Sequence, residues 1–162
     1  MGGRIGFEGG RGVSGLARWI GIAAVIGVIA VVGFIFRDRL SGGAGELQVG
    51  DCFDDPGPVA EVSDVQHHPC NEPHTGEVFY VGEMTGDSSS YPTDEAFLEH
   101  VGTNCVPSFE TYTGTTFEGT VIDIGYFHPT SEGWGDGDRG VVCYAYNVDG
   151  STSTGTVKAA AQ

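Results

Sequence analysis

The chain has 162 residues with 22 acidic and 7 basic side chains, a formal charge of −15. The imbalance is concentrated beyond Leu40, where 20 acids face only Arg139 and Lys158, a net −18. Such a surface repels phosphate backbones and excludes nucleic-acid binding as a function class, while 28 glycines without a G-x-y period exclude a collagen-like chain.

From Trp19 to Phe36 runs an uncharged apolar stretch of 18 residues. As a helix it spans about 27 Å, close to the hydrocarbon thickness of a bilayer. Arg18 closes it on one side, Arg37 and Arg39 on the other, and no polar side chain interrupts it. The expectation is a single transmembrane helix over 19–37. A cleavable signal peptide would carry a shorter apolar run followed at once by a small-x-small site, where Arg37-Asp38-Arg39 stands instead. Arg4, Arg11 and Arg18 outweigh Arg37 and Arg39. The positive-inside rule therefore places residues 1–18 in the cytoplasm and the rest outside the plasma membrane.

Residues 38–46 (DRLSGGAGE) read as a short flexible linker, 47–157 as one extracytoplasmic domain, and 158–162 as a tail. About 110 residues can build one modest core. Leu47–Asp54 is expected to open the fold with a strand, followed by a turn at 54–58 (DDPGP). Val59, Val62 and Val65 suggest a second strand, with imperfect alternation. The run GEVFYVGEM, 76–84, is a stronger one, β-branched and aromatic between turn residues. GDSSSYP then breaks the chain. Thr93 is placed to cap a helix whose first turn holds Asp94 and Glu95. Phe97, Val101, Cys105 and Phe109 recur every four residues, with Leu98 and Tyr112 beside them, which predicts an amphipathic helix with Cys105 on its buried face. Pro107 is expected to kink or restart it. Strands over Thr120–Phe127 and Gly140–Val148 complete the order. In the second, Val141, Cys143 and Ala145 share one face, and Val142, Tyr144 and Tyr146 the other. Strands, helix, strands implies an α+β fold: a mainly antiparallel sheet packed by one helix.

All four cysteines, Cys52, Cys70, Cys105 and Cys143, follow the apolar run. An even count in a small exported domain reads as two disulfides with three possible pairings. The expected one is Cys52–Cys70 and Cys105–Cys143, joining two early segments and tying the helix to the last strand. Metal is the rival, because His67, His68 and His74 crowd Cys70. A structural zinc site needs four protein ligands, often in CxxC pairs, and none occur. A histidine-only site of His67, His68 and His74 beside an intact disulfide is the weaker alternative. No resident cofactor is expected.

Catalytic patterns are missing: no GxSxG, no HExxH, no P-loop and no GxGxxG after a strand. Asp136-Gly137-Asp138-Arg139-Gly140 resembles a calcium loop superficially. Gly140 and Asn147 stand where an oxygen ligand and a glutamate are needed. Glu72 and Glu77 flank His74, but carboxylates are dense throughout, and the expectation is a non-enzyme. Two segments look more specified than loops require: 65–78, with His74 and Glu77, and 127–143, with Trp134, Asp138 and Arg139. An exposed Trp134 next to Asp-Arg would make a recognition surface. The favoured reading is structural: Trp134 packs over the sheet edge and Arg139, the only arginine of an acidic domain, pairs with a carboxylate.

Those segments carry a resemblance. Gly50-Asp51-Cys52-Phe53, Cys70 with Pro73-His74 and Glu77-Val78, Cys105, and Pro129, Trp134, Gly137-Asp138-Arg139, Val141 and Cys143 follow in the order and spacing of the septum formation domain family of actinobacteria. The match spans about 47–157. It implies a membrane-anchored envelope protein, supports the four-cysteine pairing, and brings no active site with it. His67-His68 before Pro69 departs from that pattern. The expected function is a non-enzymatic, membrane-anchored protein whose acidic domain contacts cell-wall or division proteins. An extracytoplasmic ligand- or metal-binding sensor module is the alternative.

Overall fold

The computed structural model describes residues 41–57, 62 and 64–159. The helix expected over 19–37 lies outside them. Among the described residues no helix is long and apolar enough to cross a membrane.

Six strands form one antiparallel sheet: β1 Ser41–Gly42, β2 Cys52–Asp54, β3 Val65–His68, β4 Gly76–Glu83, β5 Ile122–Phe127 and β6 Gly140–Asn147, in the order β1-β3-β2-β4-β6-β5. The last strand is thus internal, hydrogen-bonded on both sides. Its alternation matches two cores. Val141, Cys143 and Ala145 join Phe79, Cys105 and Phe109 on one face. Val142 and Tyr144 join Ala44, Leu47, Phe53, Val65 and Val78 on the other. The β4–β6 register shifts between Val78 and Tyr80. An irregularity of this kind sends neighbouring residues to one face, and both Phe79 and Tyr80 pack with the first core.

That core is covered by helix α1, which runs Asp94–His100, passes through a π-helical turn at Val101–Cys105, and continues as Val106–Thr113. Thr93 caps it by accepting the Ala96 N–H at 3.3 Å, and Gly114 ends it in the left-handed region at φ 69°. Just before Pro107 the Val106 N–H bonds back to the Val101 carbonyl in a wider, π-type turn. α-Helical bonding resumes at Val106 with the proline in the first turn of the resumed segment, where its missing N–H costs no helical bond. Leu98, expected beside the buried face, is 59% exposed. The apolar stripe is narrower than the sequence suggests, because Phe97, Cys105 and Phe109 already fill the space over β4 and β6.

Several boundaries differ from expectation. Of the 47–54 strand only Cys52–Asp54 is regular strand, although Gly50 and Asp51 also exchange backbone bonds with Val78. The preceding residues turn at Gly50, φ 97°, with the Asp51 carboxylate accepting the Gln48 N–H. The second strand sits at Val65–His68, not around Val59 and Val62. The described part of the expected linker, 41–46, is folded: β1 pairs with β3, a 3-10 turn spans Ala44–Glu46, and Ala44 and Leu47 are buried. The reason is non-local. The sheet face away from α1 carries Phe53, Val142 and Tyr144, and this segment covers it. A second helix, α2 Ser131–Gly135, was not expected; Thr130 caps it by accepting the Gly133 N–H at 3.1 Å.

Two of the glycines with a close neighbour lie against aromatic rings of an adjacent strand. A Cβ on Gly76 would lie 2.8 Å from the Phe53 ring, and one on Gly125 would lie 2.2 Å from that of Tyr144. Both rings lie flat over the neighbouring strand, and Tyr144 stacks on Phe127 at 4.9 Å.

The disulfides are Cys52–Cys70, joining β2 to the loop after β3, and Cys105–Cys143, joining the π turn of α1 to the centre of β6. This is the pairing expected from the sequence.

Candidate functional site

The singled-out residues fall into two groups that do not meet. Gly76 pairs with Tyr146 at one end of the β4–β6 ladder, and Glu83 with Gly140 at the other. The loop entering β4 and the loop entering β6 are therefore separated by roughly 20 Å of strand.

At the first end, His74 closes a bridge with Ser153: its N–H donates to the Ser153 carbonyl at 3.0 Å and its own carbonyl accepts from Ser153 at 2.8 Å. The imidazole is 1% exposed. Its Nδ1 lies 2.8 Å from the Glu72 carbonyl oxygen, and its Nε2 is buried without a hydrogen-bond partner among the described residues. Two residues into β4, Glu77 points to the helix side of the sheet and is 2% exposed. Its carboxylate accepts from the Tyr112 hydroxyl at 2.7 Å, the Thr156 hydroxyl and the Val157 N–H at 2.7 Å. Glu77 is thus a hub joining β4, the end of α1 and the C-terminal segment. Further bonds draw that segment in, from the Gly155 N–H to Cys70 and from the Ala159 N–H to Tyr112. A cavity of about 10 Å³ beside His74 and Glu77 has room for one water-sized guest.

Burial, and next the Glu77 carboxylate it donates to, push the Tyr112 phenol well above its ordinary value. Burial and Asp55 do the same to Tyr144, whose hydroxyl donates to Asp55 at 3.0 Å. A phenol raised in the folded state stabilises the fold fully below its unfolded pKa of about 10, and that contribution is lost as pH rises toward the folded value. Thermal melts are accordingly expected to fall steadily above pH 10, and a Tyr112→Phe, Tyr144→Phe chain should show a flatter alkaline slope.

At the second end, Trp134 is not exposed: it is 1% accessible. Its Nε1 donates to the Asp87 carbonyl at 2.9 Å, and it meets Tyr91 edge to face. The Arg139 guanidinium lies 3.9 Å from the indole centroid. It donates to the carbonyls of Trp134 at 2.7 Å and Asp138 at 2.6 Å and to the Ser88 hydroxyl at 2.6 Å. Among the described residues its hydrogen bonds go to carbonyls and a hydroxyl, not to the expected carboxylate. Together Trp134 and Arg139 clamp the 86–91 loop, with Gly86 tight against the indole. Asp138 is exposed, and its carboxylate accepts the Gly140 N–H at 2.9 Å. The Ser89 side chain and N–H hold Asp87 below its ordinary value, aided by Arg139.

Beside this clamp lies a groove of about 490 Å³ lined by Val81, Tyr91, Tyr126, Phe127, His128 and Asp138. The Tyr91 hydroxyl donates to the Pro129 carbonyl at 2.8 Å, and His128 stacks on Phe97 at 4.1 Å. Of these residues only Asp138 was a named site candidate in the sequence, although Phe127 and His128 lie in the singled-out 127–143 segment; the aromatic ones come from two separate segments, Tyr91 and 126–128. The roles of Tyr112, Thr156 and Val157 were equally illegible. Thr130 followed by Glu132 was the one signal that could have revealed α2.

The three histidines considered as a metal site are not gathered. His67 and His68 are neighbours on β3 and so face opposite sides, and His68 pairs with Asp54 at 2.9 Å. Among the described residues the grouping with ligand spacing is Cys52, His74 and Glu77.

A family model described as septum formation matches residues 49–162, which include both ends of the sheet. No curated protein and no solved structure matches the chain significantly.

Proposed function

Because the chain belongs to the septum formation family, we propose that it is a single-pass plasma-membrane protein whose acidic outer domain serves septum formation by binding cell-wall or division proteins. The observation that carries this reading is the family match over 49–162. The 18-residue apolar run from Trp19 to Phe36 supports the anchor, with residues 1–18 in the cytoplasm. Two disulfides support an oxidising compartment for the domain. Binding is favoured over catalysis because the polar side chains that might do chemistry are engaged in the fold. Glu77 holds the C-terminal segment, and Arg139 holds the 86–91 loop. The surface offered to a partner is the groove between Tyr91, His128 and Asp138.

The test is live-cell imaging with a fluorescent tag fused before residue 1. Accumulation at the division site is the expected result. An even distribution around the envelope would remove septation from the description.

A further inference from the structure

At the start of β4 a sulfur, an imidazole and a carboxylate converge. Cys52 Sγ, a ring nitrogen of His74 and a carboxylate oxygen of Glu77 lie within 4.8 Å of one another, and all three residues are buried. Two of the three are already held as metal ligands are held. The His74 Nδ1 contact is to a carbonyl oxygen, which can only accept, so Nδ1 carries a proton, and in the neutral ring the lone pair is on Nε2. That nitrogen is sealed from solvent, and among the described residues nothing donates to it. An imidazole fixed through its other N–H on a backbone carbonyl is the usual setting of a metal-bound histidine. Glu77 is fixed in turn by Tyr112, Thr156 and Val157.

The sulfur is what the set lacks, because Cys52 is bonded to Cys70 and only a thiolate is a good ligand. We propose that reduction of the Cys52–Cys70 disulfide converts this cluster into a binding site for a zinc-type divalent cation, with Cys52, His74 and Glu77 as ligands. The fourth position falls to the freed Cys70 or to water. Zinc bonds of about 2.0–2.3 Å set tetrahedral ligand atoms about 3.5 Å apart, so the three groups, all within 4.8 Å of one another, need close by no more than about an ångström.

The two disulfides differ in access. Cys105 and Cys143 are both fully buried, whereas Cys52 is buried but Cys70 is partly exposed. A dithiol reductant therefore attacks at Cys70. Its thiolate bonds to the Cys70 sulfur, the S–S bond breaks, and Cys52 leaves as a thiolate beside His74. The reductant's second thiol then displaces Cys70, so the dithiol becomes a disulfide and two electrons pass to the protein pair. Of the two protons released, Cys70 keeps one, and the other goes to solvent when the cation occupies Cys52.

The test uses the full chain in detergent, with and without a phosphine reductant, titrated with cobalt(II) and then zinc. The reduced chain is expected to bind one equivalent of cobalt, with a sulfur-to-cobalt charge-transfer band that zinc abolishes. The oxidised chain should bind at least roughly tenfold more weakly. Alkylation after mild reduction should mark Cys52 and Cys70 and leave Cys105–Cys143 closed. His74→Gln should lower the reduced chain's affinity by about 10–100-fold. Equal binding by both redox forms, or unchanged affinity in the His74→Gln chain, would overturn the proposal. Should that variant fail to fold, the spectrum of the unaltered reduced chain decides: a missing sulfur-to-cobalt band sinks the site.

Discussion

Replacing Cys105 and Cys143 together with alanine is expected to lower the unfolding free energy by about 4 kcal/mol, the chain-entropy value for a loop of this length. The bond closes 38 residues of separation, and both sulfurs are fully buried at the centre of the helix-side core. It holds the π turn of α1 against the internal strand β6, at the point where Pro107 follows. The helix has only Phe97 and Phe109 as its other fully buried side chains, so little else fixes its position. Domains of this size have total stabilities of about 5–15 kcal/mol, which makes the bridge a large share. Thermal melting of the variant should fall by roughly 15 °C. Opening Cys52–Cys70, with a separation of 18 residues, should cost less, about 3 kcal/mol. A larger loss from the shorter bridge, measured in the same denaturation series, would contradict this ordering.

Glu77→Ala should be the most damaging single substitution outside the cysteines, at about 3 kcal/mol or more. The carboxylate is the shared acceptor for the Tyr112 hydroxyl, the Thr156 hydroxyl and the Val157 N–H. Its removal strands donors on α1 and on the C-terminal segment at once. Thr156 is exposed and can turn to water, but the Val157 N–H faces the emptied space. The loss should be local as well as global. Amide exchange over 153–159 is expected to accelerate before the β4–β6 ladder does, because the segment's remaining ties are few: the bridge from His74 to Ser153, the Asn147 bond to Ser153, and single bonds to Cys70 and Tyr112. Glu77→Gln keeps one acceptor oxygen and should fall between the two. Uniform exchange across the domain would mean that the segment is held by other contacts.

The elements that were readable in the sequence are those whose signal is local. Phe97, Cys105 and Phe109 share a helix face because of their four-residue spacing, and Thr93 sits where a cap is needed. Val141 to Tyr146 alternate because an internal strand has a core on each side. The cysteine pairing was legible for a related reason: one pair lies within the early strands, and the other joins an inward helix position to an inward strand position. The candidate site was legible only as a set of residue types. His74 and Glu77 were singled out, but not the Tyr112, Thr156 and Val157 groups that hold Glu77, which lie 35 to 80 residues away.

By itself the sequence determined the acidic character of the region beyond Leu40, the apolar run at Trp19 to Phe36, the α+β order and the family to which the chain belongs. Each rests on composition or on spacing along the chain, which survives without knowledge of contacts. Only the tertiary structure decided that Trp134 is buried under Arg139, that the glycine-rich 41–46 stretch covers a sheet face, and that Cys52, His74 and Glu77 converge. Burial and convergence depend on which faces the sheet leaves uncovered and which segments return to fill them. That is a property of long-range packing, and no local pattern records it.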